Sequence, residues 1–306
     1  KQHHILGLQA NMFTEHTRSH ARLQHNLFPR LAAVAETGWS PRSQRDFRDF
    51  LARLPAQLQR YRAWGLDYAQ TPFEVSIAEK ADRRAGRVQV SLANPLGYEV
   101  RYTTNGQPVT AQSPRYEVPL TATLPAKVNA AAFFNGQPLA AVPTVAAFTA
   151  SSLLTRRDDE LLTCPGPGQL LLRLEDDGPL EGERAVFNVN IFQPCWRWAD
   201  ADLSGITSLT VRAGRIPYYF QLAHDEPQRK FEKATRPHGE MKIRQGDCSG
   251  PAIAEVPLPA APGADGFVTL EAKLPSGTVS KGDLCISFTG DTRPAMWVLD
   301  EVTLAH

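Results

Sequence analysis

Several features are scarce or absent in this 306-residue sequence, and each absence narrows the possible functions. The formal net charge is only +1 and Lys and Arg form no basic run. Nucleic acid and acidic membrane surfaces are therefore poor candidates for partners. No apolar run is long enough to cross a bilayer, which predicts no membrane span.

Cysteine is absent from the first 163 residues. The four cysteines that follow are Cys164, Cys195, Cys248 and Cys285. None of them forms a Cys-x-x-Cys pair, so the sequence predicts no zinc site at the cysteines. One or two disulfides and buried free thiols fit the pattern equally well. If all four cysteines pair, three pairings are possible.

The first 72 residues read as one strand followed by helices. Residues 5–11 form an apolar run of strand length, and residues 22–35 permit a helix. Apolar side chains then recur every three or four positions, the spacing of one buried helix face. They are Phe47, Phe50, Leu51, Leu54, Leu58 and Tyr61. Pro55 lies inside this pattern, and we expect it to kink the helix or split it in two.

From about residue 73 the apolar residues alternate with polar ones, the period of β-strands. Asn105-Gly106 and Asn135-Gly136 each follow a strand-like run and predict two-residue hairpins. These signals indicate a small antiparallel sandwich over residues 73–150. Alternating strands separated by Gly and Pro continue over residues 151–306 and favour a jelly-roll sandwich. The predicted fold is mixed but mainly β, with three domains at 1–72, 73–150 and 151–306.

Residues 5–15, ILGLQANMFTE, and 27–39, LFPRLAAVAETGW, carry a family resemblance. They resemble the last strand and last helix of the (β/α)8 barrel of family 20 glycoside hydrolases, the β-N-acetylhexosaminidases. The resemblance implies that Glu15 lines the sugar pocket and accepts hydrogen bonds from sugar hydroxyls. It also implies that Phe13 contacts the sugar, in a place where the family has tryptophan. Phe13 as plain core filler is the alternative interpretation.

The later domains carry two further resemblances. Residues 95–150, with YTTNGQP at 102–108, resemble the chitobiase-type C-terminal domain that follows this barrel. Residues 202–212 and 296–302 more loosely resemble carbohydrate-binding jelly rolls. Trp297 and Tyr219 are the possible sugar platforms there, although core positions fit them as well. Such modules often hold a structural calcium, for which Glu175, Asp177 and Asp300 offer oxygen ligands; solvated acids are the favoured alternative.

The family uses substrate-assisted retaining catalysis, in which an adjacent Asp-Glu pair on an earlier barrel strand supplies the acid and orients the acetamido group. This sequence has no Gly-Gly-Asp-Glu segment, and Asp158-Asp159-Glu160 and Asp300-Glu301 lie outside barrel context. We therefore assign no catalytic residue within these 306 residues. The expected acid/base pair lies upstream, and the chain alone is predicted to be inactive.

The resemblance implies an exo-β-N-acetylhexosaminidase that hydrolyses terminal β-linked N-acetylglucosamine or N-acetylgalactosamine. The alternative is a non-catalytic carbohydrate-binding or structural accessory module. Residues 1–70 should pack on the β domains, on the rest of the catalytic barrel or on another copy of the chain, because a lone strand and its helices expose an apolar face. Family and cysteine usage together predict a periplasmic or secreted protein.

Overall fold

The computed structural model describes residues 4, 6–14, 17–166, 168–175, 184–218 and 221–306. The chain forms two compact units. The first comprises residues 1–79 and 89–147, and the second comprises residues 80–88 and 148–306. Helices occupy the N-terminal part and antiparallel sheets the rest, which confirms the mainly β fold class. The three domain boundaries drawn from the sequence stay a prediction.

Between residues 17 and 75, all of which the structure describes, the chain forms three α-helices and two short 3-10 helices. They are α1 (His20–Leu27), α2 (Arg30–Trp39), α3 (Phe47–Ala63) and the 3-10 turns Arg42–Gln44 and Thr71–Phe73. Ser19 caps α1 by accepting from the Arg22 N–H, and Asp46 caps α3 by accepting from the N–H groups of Arg48 and Asp49. These caps satisfy amides that have no partner within the first turn of a helix.

Helix α3 runs unbroken through Pro55, so of the two expected outcomes, a kink or a split, the split does not occur. Proline lacks the N–H that would bond the carbonyl of Leu51, four residues earlier. The Tyr98 hydroxyl, from the sandwich of the same unit, donates to that carbonyl at 2.8 Å. The buried face of α3 consists of Leu54, Leu58 and Tyr61, as the spacing predicts, whereas Phe47 stays exposed.

Residues 6–14, where the sequence predicts a barrel strand, form no strand ladder. A parallel strand takes its backbone hydrogen bonds from neighbouring strands, and the described residues offer this segment none. The segment lies against α2, because the side chain of Leu8 covers Gly38: a Cβ placed there would lie 3.6 Å from Leu8 Cδ2.

Seven strands form the small sandwich. They are β1 (Ser76–Asp82), β2 (Arg87–Ala93), β3 (Glu99–Thr103), β4 (Leu120–Thr123), β5 (Ala126–Phe134), β6 (Gln137–Pro138) and β7 (Thr144–Phe148). One sheet has the order β1-β2-β4, and the other has β3-β5-β6 with β7 also paired to β5. Asn135-Gly136 joins β5 to β6 with positive φ at both residues, as the hairpin prediction requires.

The hairpin predicted at Asn105-Gly106 is wrong. The chain turns there but pairs again with β3 only at Arg115, opposite Arg101. The side chains of Thr103 and Asn129 both donate to the carbonyl of Gln107, at 2.6 and 2.9 Å. These bonds hold the segment after the turn in a wide loop, so the local Asn-Gly signal is overridden by tertiary hydrogen bonds.

The second unit is a β-sandwich. Its strands are β8 (Thr155–Arg157), β9 (Leu162–Thr163), β10 (Leu171–Glu175), β11 (Val186–Asn190), β12 (Cys195–Asp202), β13 (Ser208–Pro217), β14 (Glu240–Gln245), β15 (Ala254–Pro257), β16 (Phe267–Lys273), β17 (Lys281–Phe288) and β18 (Ala295–Ala305). The two main sheets have the orders β15-β14-β17-β12-β9 and β16-β13-β18-β8, and β10 pairs with β11. One apolar core, with Trp297, Ile243 and Ile286 nearly inaccessible, includes residues from both main sheets.

Two disulfides, Cys164–Cys195 and Cys248–Cys285, pair all four cysteines. This result decides between the interpretations that the sequence left open, and buried free thiols are excluded. Both bonds lie in the second unit, where they link β12 and β17 to neighbouring loops. No helix among the described residues has the length and apolarity needed to cross a membrane.

Candidate functional sites

The N-terminal segment presents Phe13 at the surface. Its side chain is 75% exposed, so Phe13 is not core filler within this unit. Glu15, the predicted sugar ligand, lies outside the described residues, and its role stays a prediction. Leu6, Leu8 and Trp39 are also exposed, Trp39 by 90%. The segment and α2 therefore present an apolar face that no described part of their own unit covers.

A groove of about 710 Å³ lies between α2 and α3 in the first unit. Leu31, Ala35 and Trp39 line it from α2, and Phe50 and Leu54 line it from α3. Glu36, Arg53, Gln57 and Arg60 add polar groups to its lining. Isolated exposed apolar residues are ordinary, but a cluster of them along one groove is typical of a surface that another chain segment covers.

Glu36 and Arg30 tie helix α2 to its neighbours α3 and α1. Arg53 of α3 donates to both carboxylate oxygens of Glu36, at 2.9 and 3.1 Å. The hydrogen bond from Arg53 lowers the pKa of Glu36, with a smaller contribution from the Ser40 hydroxyl. Arg30 donates to the carbonyls of His25 and Asn26 at the end of α1.

Trp297 is buried in the second unit, with 2% of its surface exposed. Its ring lies against Phe288, with centroids 6.5 Å apart, and the Arg215 guanidinium lies 5.4 Å from its centroid. Little of the indole face is open to a sugar in this arrangement. The second predicted platform, Tyr219, lies outside the described residues, and both assignments stay predictions.

Trp297 nevertheless lines a cleft of about 560 Å³ between loops of the second unit. The other lining groups come from residues 231–239, 259–260 and 290–292, with Arg215 at the end of β13. Phe231, His238 and Asp291 provide an aromatic ring, an imidazole and a carboxylate at its surface. An apolar ring beside a few polar groups is the composition expected of a small-molecule site. The sequence interpretation missed this cleft, because its lining comes from separate loops.

Buried polar bonds hold the loop over residues 231–239 in place. Glu240 is fully buried and accepts from the N–H and hydroxyl of Thr235. Glu232 pairs with Lys242 at 2.8 Å and with Arg244 at 2.7 Å. Gly239 has φ +81°, and a Cβ there would lie 2.5 Å from the Thr289 carbonyl oxygen, so only glycine fits. One wall of the cleft is therefore preorganised.

A second cleft, of about 790 Å³, is lined by Asp300, one of the three acids considered for calcium. The Asp300 carboxylate accepts a hydrogen bond from Arg212, whose guanidinium also lies over the Phe267 ring at 3.3 Å from its centroid. An arginine thus occupies the cation position beside Asp300. Asp158, 4% exposed, accepts from the Asn188 N–H, and burial raises its pKa.

Among the residues that the structure describes, no set of oxygen ligands for calcium is found. Asp177 lies outside these residues, and the one group of side chains spaced for a metal ion consists of three disulfide sulfurs. The fold places both rejected acidic pairs in the second unit, at Asp158–Glu160 in a 3-10 turn and at Asp300–Glu301 in β18. The sequence contains a third adjacent Asp-Glu pair, Asp225-Glu226, which the sequence interpretation did not consider. Arg293 forms a salt bridge with Glu226 at 2.7 Å.

Comparison with known proteins agrees with the sequence resemblance. Residues 1–42 match the model of the glycosyl hydrolase family 20 catalytic domain, and residues 81–144 match that of the chitobiase/beta-hexosaminidase C-terminal domain. A beta-hexosaminidase of Porphyromonas gingivalis is 30% identical over 122 residues, which cover 39% of this chain. The match spans only 16% of that relative's length.

Among solved structures, the chain is similar to carbohydrate-binding modules. One is a family 6 module from Clostridium cellulolyticum in complex with xylose (16% identity, TM-score 0.33, 50% of this chain and 96% of that one). Another is a module from Clostridium stercorarium in complex with cellobiose (18% identity, TM-score 0.31, 49% of this chain and 92% of that one). Scores this low carry no argument about a shared ligand. The two family models do confirm the resemblance: the chain carries a family 20 glycoside hydrolase catalytic-domain segment followed by a chitobiase/β-hexosaminidase C-terminal domain.

Proposed function

We propose that this chain is part of an exo-β-N-acetylhexosaminidase and contributes the last strand and helix of its catalytic barrel. The observation that carries the proposal is the uncovered apolar face of residues 6–39 in a segment that matches the family 20 catalytic domain. In a (β/α)8 barrel each strand bonds to two neighbours and each helix packs on the strands. Other barrel elements would cover Leu8, Trp39 and the α2–α3 groove.

A second copy of the chain is the competing cover for this face. Two copies could bury Trp39 and Leu31 against each other, but they would supply no parallel strand neighbours for residues 6–14. The backbone N–H and C=O groups of that segment favour barrel strands as the cover.

The proposed chemistry divides between this chain and the rest of the barrel. Glu15 accepts hydrogen bonds from hydroxyls of the terminal amino sugar, and Phe13 contacts an apolar sugar face. The acid and the aspartate that orients the acetamido group lie outside these 306 residues, because the Asp-Glu pairs considered above all lie in the second unit. The reaction retains the anomeric configuration through attack by the acetamido oxygen of the substrate.

The first test is release of nitrophenol from a chromogenic N-acetyl-β-glucosaminide by the purified chain. We expect no release above background, and turnover would refute the division of chemistry just described. In the complete enzyme, Glu15→Gln should lower kcat/KM by about 30- to 160-fold, the effect of about 2–3 kcal/mol for a hydrogen bond to a charged group. Glu117→Gln, at an exposed position of the small sandwich, is the matched control.

A second function, carbohydrate binding by the last domain, is supported by the loop cleft beside Trp297. Its rigid wall, the Phe231 ring and the polar groups of His238 and Asp291 suit a sugar that offers one apolar face and several hydroxyls. Titration with chitooligosaccharides, followed by NMR or calorimetry, tests this role. His238→Ala should weaken binding, whereas His224→Ala, at a side chain outside the cleft, should not. Equal binding by both variants would place the sugar elsewhere.

We further propose that the protein works in the periplasm or outside the cell. Two disulfides join all four cysteines, and such bonds persist in oxidising compartments. Fractionation of the producing cells, with immunodetection of the protein, tests this location; its recovery with cytoplasmic markers would contradict the proposal.

A further inference from the structure

The two disulfides lie next to each other. The Sγ atoms of Cys164, Cys248 and Cys285 all lie within 4.8 Å of one another. With Cys195 they form a cluster of their own, separate from the main apolar core of the sandwich. A thiolate released from one disulfide would therefore find a sulfur of the other within reach, without any large movement of the chain.

The four cysteines differ in how far they are exposed to solvent. Cys164, Cys195 and Cys285 are buried, with between 1% and 3% of their surface exposed. Cys248, in the turn that follows β14, is the least buried of the four residues, although its sulfur lies inside the buried cluster. Attack by an external thiolate requires contact with a sulfur atom, and the turn that carries Cys248 is the most exposed part of the chain beside the cluster.

Two arginines flank Cys285 across the sheet. In the strand register, Arg197 of β12 and Arg244 of β14 both lie directly opposite Cys285 of β17. Side chains at directly opposite positions share a face, with Cβ atoms about 5 Å apart. Both cations can therefore stabilise negative charge on the Cys285 sulfur.

Hydrogen bonds hold both guanidinium groups at residues next to Cys285 in the sequence or the sheet. Arg197 binds Asp283 at 2.6 Å, two residues before Cys285, and Arg244 binds Ser287 at 2.8 Å, two residues after it. Arg244 also donates to the Gly250 carbonyl in the turn that carries Cys248. Asp283 and Glu232 are the carboxylates that share these cations. The Nε of Arg197 is buried and lacks a hydrogen-bond partner, which leaves one donor unused.

We propose that Cys248 is a modification site for low-molecular-weight thiols and that Cys285 relays the exchange to the second disulfide. The external thiolate bonds to Cys248 Sγ while the Cys248–Cys285 bond breaks and its electron pair stays on Cys285. The Cys285 thiolate then bonds to Cys164, and Cys195 leaves as a thiolate. Cys195 finally attacks the mixed disulfide at Cys248 and releases the external thiol.

The products of the relay are the pairs Cys164–Cys285 and Cys195–Cys248, with no net oxidation or reduction. The Cys164 sulfur is the expected target because it belongs to the group within 4.8 Å. If the external thiol is released, it has catalysed the exchange of the two disulfides. If the mixed disulfide persists, the thiol remains bound to Cys248. This inference is independent of the proposed glycosidase function, which uses none of the cysteines.

The test uses the folded 306-residue chain and glutathione at about pH 8, near the ordinary pKa of a thiol. Alkylation with N-ethylmaleimide stops the exchange, and trypsin then places the cysteines in four different peptides: 158–173, 185–197, 245–273 and 282–306. Mass spectrometry should find glutathione on peptide 245–273 and the two new pairs. Only native pairs, glutathione on another peptide, or the third pairing would overturn the proposal.

Arg197→Gln tests the electrostatic part of the mechanism. Glutathione addition should slow about threefold, because loss of one cation makes the Cys285 thiolate a poorer leaving group. Arg173→Gln, in β10 and away from the cysteines in the strand pairing, should leave the rate unchanged. Equal rates for both variants would refute the role assigned to Arg197.

Discussion

The Tyr98 hydroxyl donates to the Leu51 carbonyl, which has no helical N–H partner because residue 55 is a proline. Removing this hydroxyl tests whether the hydrogen bond stabilises the first unit. Tyr98→Phe deletes only the donor to the Leu51 carbonyl. The aromatic contacts persist, because the ring stays 6.4 Å from Phe73 and 6.0 Å from Phe134 between centroids.

The expected loss is about 1–2 kcal/mol of unfolding free energy. A net intramolecular hydrogen bond contributes about 1 kcal/mol, and an acceptor left without a partner in a partly buried place adds to the loss. In an ordinary helix the N–H of residue 55 would bond the Leu51 carbonyl, and Tyr98 would be dispensable. Proline removes that alternative, so the full loss appears.

A double-mutant cycle measures the energetic coupling between Tyr98 and Pro55. Pro55→Ala restores an N–H to the helix, so Tyr98→Phe should cost about 0.5 kcal/mol or less in that background, a coupling of about 1 kcal/mol. Urea unfolding followed by circular dichroism at 222 nm reports the first unit, which contains all three described α-helices. Equal costs of Tyr98→Phe in both backgrounds would refute the reasoning.

Alkaline pH offers an independent check on the same group. Burial raises the pKa of Tyr98 to about 12. A phenol whose folded pKa exceeds its unfolded value stabilises the protein below the unfolded pKa, and this contribution is lost as pH rises through the folded one. The difference in unfolding free energy between the unmodified chain and the Tyr98→Phe variant should therefore shrink between about pH 10 and pH 12.

Three further outcomes are expected. Asn94→Ala should destabilise the first unit by about 2–4 kcal/mol in urea unfolding, because the buried amide donates to the carbonyls of Pro72 and Glu74 and accepts two backbone N–H groups. Asp158→Asn should raise the thermal midpoint of unfolding at neutral pH, since burial raises the Asp158 pKa and its ionisation therefore destabilises the fold. This increase in the midpoint should disappear in acid, where Asp158 is protonated. A lower midpoint for the variant at neutral pH would contradict the prediction. Trp39→Ala should reduce concentration-dependent self-association of the isolated chain in sedimentation velocity, and unchanged association would show that this exposed face does not drive it.

Local pattern was sufficient for much of the fold. The spacing of Leu54, Leu58 and Tyr61 predicts the buried face of α3, because a helix repeats every 3.6 residues regardless of what it packs on. The alternation of Val88, Val90 and Leu92 predicts β2 in the same way. The family motifs at the start of the chain and over residues 95–150 can also be recognised from the order of residues in the sequence.

Other features depend on residues far apart in the chain. The sequence left both a kink and a split of α3 open, because nothing local shows that Tyr98 replaces the missing N–H. It wrongly predicts a hairpin at Asn105-Gly106, where Asn129 holds the next segment away. The cleft beside Trp297 was missed for the same reason, since its lining residues come from loops separated by dozens of positions.

The sequence by itself determined the mainly β class, the helical N-terminal part and the resemblance to family 20 glycoside hydrolases, because these rest on short-range periodicity and motif order. Tertiary structure decided the disulfide pairing, the closeness of the two disulfides and the arginines beside Cys285. It also revealed the uncovered face around Trp39. Pairing and exposure depend on which strands lie side by side, and strand register is set only when the whole sheet packs on its core.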